Sequence, residues 1–521
     1  MTTGAMVRRC DGVMALALVV LLASTAFGQP VKGLTAAPQL VRAYNAIFDA
    51  RFEDVPGLLA QTCPPVPVAA CEVIDALSIW WQIQIDPLST SRDALFQSRV
   101  EAAINAAEAW TTREPERAEA WFYRGGAYGV RVQWRVLRGE RLAAARDGKR
   151  IKEALERALA LDPGLQDAYF GIGLYHYYAD IAPTAAKMLR WLLFLPGGDR
   201  VEGMQEMLRA RDNGQVLRSE AEYQLQVLDL WYEKRPEHAL ELLAGLRQRH
   251  PGNPHFLQLT AEVEDVYLHE IGRSLSTWQA LLDAARSRRV SNPSMAEAVA
   301  RLGIALQLDR FFETDAAIQH LRAVIAAKPA SPYGAVAQAQ LQLGLALDRL
   351  GSRSEATAAY RAALAATTAA DPLRIGERAR AGLTTAPNAT TAKAYRLSIA
   401  GWRALERGAI DEAARALTES LSLRPDDLVT QYRRARLLKA QKDDAAAIRL
   451  LDTVMSRGAA VPPSIYAAAC VDAARLHEEQ GSRARAIELY QAVSTVVGAE
   501  RATSDAAQRA LARLINATRA R

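Results

Sequence analysis

Arg433, Arg436 and Lys439 recur at steps of three, which places three cations on one side of one helix. Tyr432 stands beside them, and Tyr395 and Trp402 sit in the helical segment just before. Aromatic anchors next to clustered arginines are the usual makings of a binding hot spot. A guanidinium fork suits an acidic side chain or a terminal carboxylate. The chemistry expected of this set is recognition of a protein or peptide. The plain alternative is a solvated basic face with Trp402 in the core.

A second set lies in the centre of the chain. If 167–178 is one helix, Phe170, Leu174, Tyr177 and Tyr178 share a face, while Tyr169, Ile172, Gly173 and His176 pack inward. The turn Pro196-Gly197-Gly198-Asp199-Arg200 would close an aromatic-lined pocket, with Asp199 and Arg200 as polar contacts for a lipid, glycan or other small molecule. The alternative is that these aromatics are core. Elsewhere the search for chemistry is negative. There is no Gly-x-Ser-x-Gly elbow, no phosphate loop and no paired zinc histidines on a helix. His250 and His255 flank the turn Pro251-Gly252-Asn253-Pro254 and are expected to end and begin helices. No catalytic, cofactor-binding or metal-binding residue is assigned, and a non-enzyme is expected.

The elements that must position these residues follow from a recurring pattern. Gly344, Leu347, Gly351, Ala356, Tyr360 and Ala363 form one copy. Gly401, Ala404, Gly408, Ala413, Leu417 and Pro425 repeat the spacing. Ala435, Leu438, Ala447, Leu451 and Val454 carry a third copy, and Gly481, Ala486, Tyr490 and Val493 a fourth. Ala413 and Ala447 stand 34 positions apart, the period of a helix–turn–helix repeat. In the second copy Ile410, Ala413, Ala414, Leu417 and Leu421 make one apolar stripe, and Glu412, Arg415 and Glu419 face away. Asp411 is the expected N-cap of that helix. Gly401 is expected where two helices touch, with Ala413 as the matching small residue, so that leucine there would be costly and alanine mild. One such pair cannot bury its apolar face alone, so several must stack.

These residues resemble the tetratricopeptide repeat family over 393–493 and 336–366. The spacing extends to 297–329 through Ile304, Leu308, Ala317, Leu321 and Pro329. Upstream it returns in Tyr223, Ala239, Leu243 and Pro251, and in Trp121, Gly125 and Tyr128. The resemblance implies an all-α, right-handed superhelical array whose first helices line a groove. On that face it would present Tyr395, Trp402, Tyr432, Arg433, Arg436 and Lys439 to a peptide. The expected organisation is an N-terminal helical region over 29–115, a central divergent region over 116–290, and repeats over 291–366 and 393–521. A linker is expected at 367–392, where Thr, Ala, Gly and Pro replace the apolar stripe.

The N-terminus bears on the compartment. Arg8 and Arg9 precede an apolar run from Val13 to Ala23, followed by Ala26-Phe27-Gly28. That order is a Sec signal peptide over 1–28 with cleavage after Gly28, so a periplasmic or secreted chain with no membrane span is expected. Cys63 and Cys71 bracket a proline-rich stretch, and in an oxidising compartment a disulfide closing that loop is the expected outcome, with two separate buried thiols as the alternative. Cys470 falls on an alanine-rich stripe and reads as core. The 64 Lys and Arg against 58 Asp and Glu give a net charge of +6, but the signs are interleaved. A nucleic-acid surface would concentrate them, so the expected partner is a protein or peptide of the cell envelope.

Overall fold

The computed structural model describes residues 32–181, 197–368 and 370–519. The expected signal peptide over 1–28 and the stretch from Trp191 to Pro196 lie outside the described residues. The fold is an all-α helical repeat, and no strand occurs among the described residues. No described helix is long and apolar enough to cross a membrane.

The chain forms two compact units. The described residues of the first are 32–44, 55–80, 94–181 and 197–221. In it the Ala118–Leu137 helix packs on Arg141–Leu161, and Ala168–Ile181 packs on Arg200–Asn213. The first pair is held by a buried charge. Asp147 has no exposed side-chain surface and takes both nitrogens of a fork from Arg131, at 2.9 and 2.8 Å. Arg135 and Arg150 add bonds of 2.5 and 3.1 Å. The second pair is held by shape. A Cβ on Gly203 would stand 2.5 Å from the Gly173 carbonyl oxygen, and one on Gly173 would stand 2.7 Å from that of Gly203. Backbone meets backbone there, which only glycine allows. Asp167 ties off the following turn by accepting from the amides of Gln215, Val216 and Leu217 at 2.7–2.9 Å.

The second unit comprises Asn45–Asp54, Trp81–Asp93 and Glu222–Arg521. Its consecutive helices pair as Pro254–Val266 with Ile271–Arg286, Pro293–Arg310 with Thr314–Ala327, and Ala335–Arg349 with Arg353–Ala366. Ala389–Glu406 with Ile410–Leu423, Leu428–Ala440 with Asp444–Met455, and Pro463–Glu479 with Arg483–Val493 follow, and Arg501–Arg519 comes last. The small residue of the pattern is buried in every copy: Ala239, Ala317, Ala356, Ala413, Ala447 and Ala486 are all at most 1% exposed. Each lets the second helix lie close against the first. Cys470 is likewise buried in the C-terminal core.

Several details differ from expectation. The stretch 367–392 is not bare linker, because it holds the short Ile375–Thr384 helix, anchored by buried Ile375 and Ala379. Asp371 starts that helix by accepting from the amides of Ile375 and Gly376. Asp411 is not an N-cap. The left-handed turn at Gly408 starts the helix at Ile410, so Asp411 falls inside its first turn. Gly401 meets Leu417 rather than Ala413: an added Cβ would stand 2.6 Å from Leu417 Cγ and 3.2 Å from its amide nitrogen. Alanine at 401 is therefore not mild. The 2.6 Å approach to Leu417 Cγ and 3.2 Å to its backbone nitrogen put the strain toward the upper part of the roughly 1–3 kcal/mol overpacking range, so that after the roughly 1 kcal/mol gained in helix propensity Gly401→Ala is expected to cost about 1–2 kcal/mol net. Gly401→Leu is expected to cost more. Urea unfolding followed by circular dichroism measures both, and an alanine variant as stable as the parent would refute the contact.

Cys63 follows the Val55–Thr62 helix and Cys71 lies in the first turn of Val68–Ile85. The two sulfurs are paired in the structure, with Cα atoms 6.7 Å apart, inside the reach of a disulfide.

Candidate functional site

The first helices of successive pairs in the second unit touch one another, so their side chains form one continuous face. Ala389–Glu406 meets Leu428–Ala440, which meets Pro463–Glu479, which meets Arg501–Arg519. Asn388 caps the first of these through the Thr390 amide at 2.8 Å, and Asp427 caps the second through Thr430 at 2.7 Å. Regular capping fixes where each helix begins and hence which residues reach the face.

The structure brings the six expected residues together but uses them unequally. Tyr432 is buried, and its hydroxyl donates to Asp472 at 3.0 Å; burial and that carboxylate raise its pKa. Arg433 is only 4% exposed and donates to Ser398 Oγ at 2.8 Å. Burial pulls its pKa down to about 10, partly offset by Tyr395 and by carboxylates farther off. Arg436 is exposed, sits 5.5 Å above the Trp402 ring and lies 3.5 Å from Asp472. Desolvation lowers its pKa, but Asp472 and Tyr432 outweigh that and the net shift is upward. Lys439 reaches Glu479 at 3.6 Å. Trp402 is half-buried between the two arginines.

Part of this face is already covered by the protein's own chain. The turn between Pro293–Arg310 and Thr314–Ala327 brings Phe312 under the Arg433 guanidinium, 4.5 Å from the ring centre, and 6.4 Å from the Tyr395 ring. The hydroxyls of Thr314 and Tyr395 are 2.8 Å apart. Arg403 donates to Glu313 at 2.9 Å and to Asp315 at 3.0 Å. An aromatic ring flanked by acids thus fills the site of Tyr395, Trp402, Arg403 and Arg433, the chemistry expected of a bound peptide. The turn pays a conformational cost to do so. In three other copies the corresponding position is Gly351, Gly408 or Gly481, all at positive φ; here it is Phe312, at φ 63°. A bulky residue in that region costs about 1–2 kcal/mol, which the ring contacts offset.

Beyond this self-contact the face stays open. Arg475, Arg509 and Arg513 border a cavity of about 680 Å³ together with Glu478, Glu479 and Tyr490. Arg513 donates to Glu478 at 2.6 Å and Arg475 lies 3.8 Å from Asp472, whereas Arg509 is exposed and has no ion pair among the described residues. Sequence reasoning missed these arginines. Arg475 stands alone on its helix, and the other two lie past the last recognised copy.

Among the described residues the central aromatic set is divided between core and surface. Tyr177 is fully buried and Phe170 is 8% exposed, Leu174 is half-buried, and Tyr178 lies on the surface. Asp199 caps the Arg200–Asn213 helix by accepting from Val201 and Glu202, and the Arg200 amide donates to Asp180 at 3.2 Å. A cavity of about 570 Å³ exists elsewhere, in the second unit, floored by Phe52, Ile85 and Met295 and edged by Glu53, Asp86 and Arg92.

Comparisons with known proteins agree with the repeat reading. The tetratricopeptide repeat model matches residues 404–463, and the chain carries tetratricopeptide repeats. No curated protein matches the sequence. Among solved structures, a tetratricopeptide repeat protein from Parabacteroides merdae is similar at 15% identity, over 56% of this chain and 97% of that one, with a TM-score of 0.26. The P58(IPK) repeat domain is similar at 15% identity, over 86% and 100%, with a TM-score of 0.22. The Cut9-Hcn1 assembly of the APC/C is similar at 14% identity, over 96% and 99%, with a TM-score of 0.23. Scores this low do not describe a shared overall shape, and the fold rests on the helix pairs themselves.

Proposed function

We propose that this protein is an exported, non-catalytic scaffold that holds an acidic peptide segment of a cell-envelope partner on the open part of its first-helix face. Stacked helix pairs expose long surfaces, and repeat proteins of this kind serve protein–protein interaction. The observation that carries the reading is an excess of cations on this face: Arg436, Lys439, Arg475 and Arg513 share Asp472, Glu478 and Glu479, exposed Arg509 has no ion pair among the described residues, and Arg475, Arg509 and Arg513 line the 680 Å³ cavity. Half-buried Trp402 supplies apolar surface beside Arg436. Fork-shaped guanidinium donors favour carboxylates, from acidic side chains or a free C-terminus. The basic–apolar–small order of residues 1–28 and the pairing of Cys63 with Cys71 support export into an oxidising compartment.

The test uses the mature chain isolated from an envelope fraction. Its first residue should be Gln29, and Cys63 and Cys71 should resist alkylation until reduced. Against a library of acidic peptides with free or amidated ends, Arg475→Glu with Arg509→Glu is expected to weaken binding at least about tenfold, or 1.4 kcal/mol, at an unchanged melting temperature. Undiminished binding by that variant removes the face from consideration.

A further inference from the structure

We infer that His176, Glu202 and Glu206 form a binding site for one divalent transition-metal ion of the zinc class. The three residues come from two helices, Ala168–Ile181 and Arg200–Asn213. Their ligand atoms all lie within 4.8 Å of one another. His176 Nδ1 and Glu206 Oε2 are 2.8 Å apart, and both side chains are only 15% exposed.

The glycine crossing builds this convergence. A Cβ on Gly203 would lie 3.2 Å from the His176 Cβ, and one on Gly173 would lie 3.0 Å from the Glu206 Cβ. Each glycine therefore makes room beneath one ligand-bearing residue. Glu202 precedes Glu206 by four positions and so stands on the same helix face. Asp199 caps this helix just before Glu202 by accepting from the amides of Val201 and Glu202, which fixes the first turn.

A buried His–Glu hydrogen bond alone would need no second carboxylate. Bringing Glu202 to the same point adds like-charge repulsion, which a bound dication reverses. Donor type sets the metal class. One imidazole nitrogen with two carboxylate oxygens suits zinc and its first-row neighbours, whereas calcium and magnesium take oxygen alone. Three protein ligands leave a fourth position for water.

Equilibrium dialysis of tag-free, metal-stripped full-length protein against Zn²⁺ tests the inference. One zinc per chain is expected, and Glu206→Gln and His176→Ala should each weaken it by about tenfold or more. Saturating Zn²⁺ should also raise the melting temperature of the parent and not of the variants, because an ion bound only by the folded chain shifts the equilibrium by mass action. Glu202→Gln, at an exposed position where folding is spared, should weaken binding as well. Absence of a stoichiometric site in the parent, equal affinity in Glu202→Gln and parent, or binding of Ca²⁺ in preference to Zn²⁺ would overturn it. None of these outcomes depends on the peptide-binding face.

Discussion

Asp147→Ala is expected to destabilise the first unit by about 3–5 kcal/mol, the range for breaking a buried ion pair by removing one partner. The carboxylate is wholly buried and is the shared acceptor for Arg131, Arg135 and Arg150. Without it Arg131, with only 9% of its side chain exposed, keeps a single acid, Glu101, whose own side chain is 54% exposed. A guanidinium in that position reaches little water and cannot lose its proton. Two further charges then repel it across the gap. Asp147→Asn should recover little, because the amide offers one acceptor where the carboxylate offered two and brings donors that face donors. Arg150→Ala is the control: that side chain is 48% exposed, and its loss should cost less than about 1 kcal/mol. Urea unfolding followed by circular dichroism separates the cases. Equal midpoints for Asp147→Ala and Arg150→Ala would mean that the carboxylate does not hold the pair.

The hub at Asp147 also shows where sequence reading stops. Small residues at a 34-residue spacing report a local need, two helices in close contact, and every such alanine proved buried. Asp147 carries no comparable signal: Arg150 three positions on shares its helix face, and Arg131 and Arg135 share a face of the preceding helix, but no periodicity within either helix says that the two faces meet at one carboxylate. The first-helix face divides in the same way. Steps of three predicted that Arg433, Arg436 and Lys439 lie together, and that relation is internal to one helix. Whether a cation on that side is free depends on the neighbouring repeats. Arg433 is spent on Ser398 and Phe312, residues 35 and 121 positions earlier. Phe312 stands where other copies have glycine, so the departure from pattern was visible, but its target was not.

The zinc-class site escaped for a related reason. A scan for paired ligands on one helix passes over a histidine and two glutamates divided between helices, and the glycines that let them meet look like helix defects until the crossing is seen.

Acidification is expected to weaken the second unit between pH 6.5 and 4, and His255 is the chief titrating group. Its imidazole is buried beside the rings of Tyr223 and Phe256, and desolvation pulls its pKa from 6.5 down to about 4, with a small upward pull from Gln258. His250, against Phe48 and Phe256, is likewise pulled to about 4 by burial and then by Arg249. A depressed histidine pKa means that the unfolded chain binds a proton below pH 6.5 that the native chain refuses. Stability therefore rises with pH across this window and is fully present above pH 6.5. A shift from 6.5 to about 4 corresponds to about 3 kcal/mol for a buried ring. Glu262 works in the opposite sense. Burial raises its pKa against a smaller downward pull from Gln258, so its penalty is relieved as the pH falls. The wild-type slope is thus a sum of opposing terms, and a variant isolates the histidine. His255→Phe fills the same apolar site without a proton to bind. Between pH 7 and pH 4.5 it should lose about 2–3 kcal/mol less stability than the parent in urea unfolding. Parallel losses in the two proteins would show that the ring at 255 is not held neutral, and would place the acid sensitivity in the carboxylates instead.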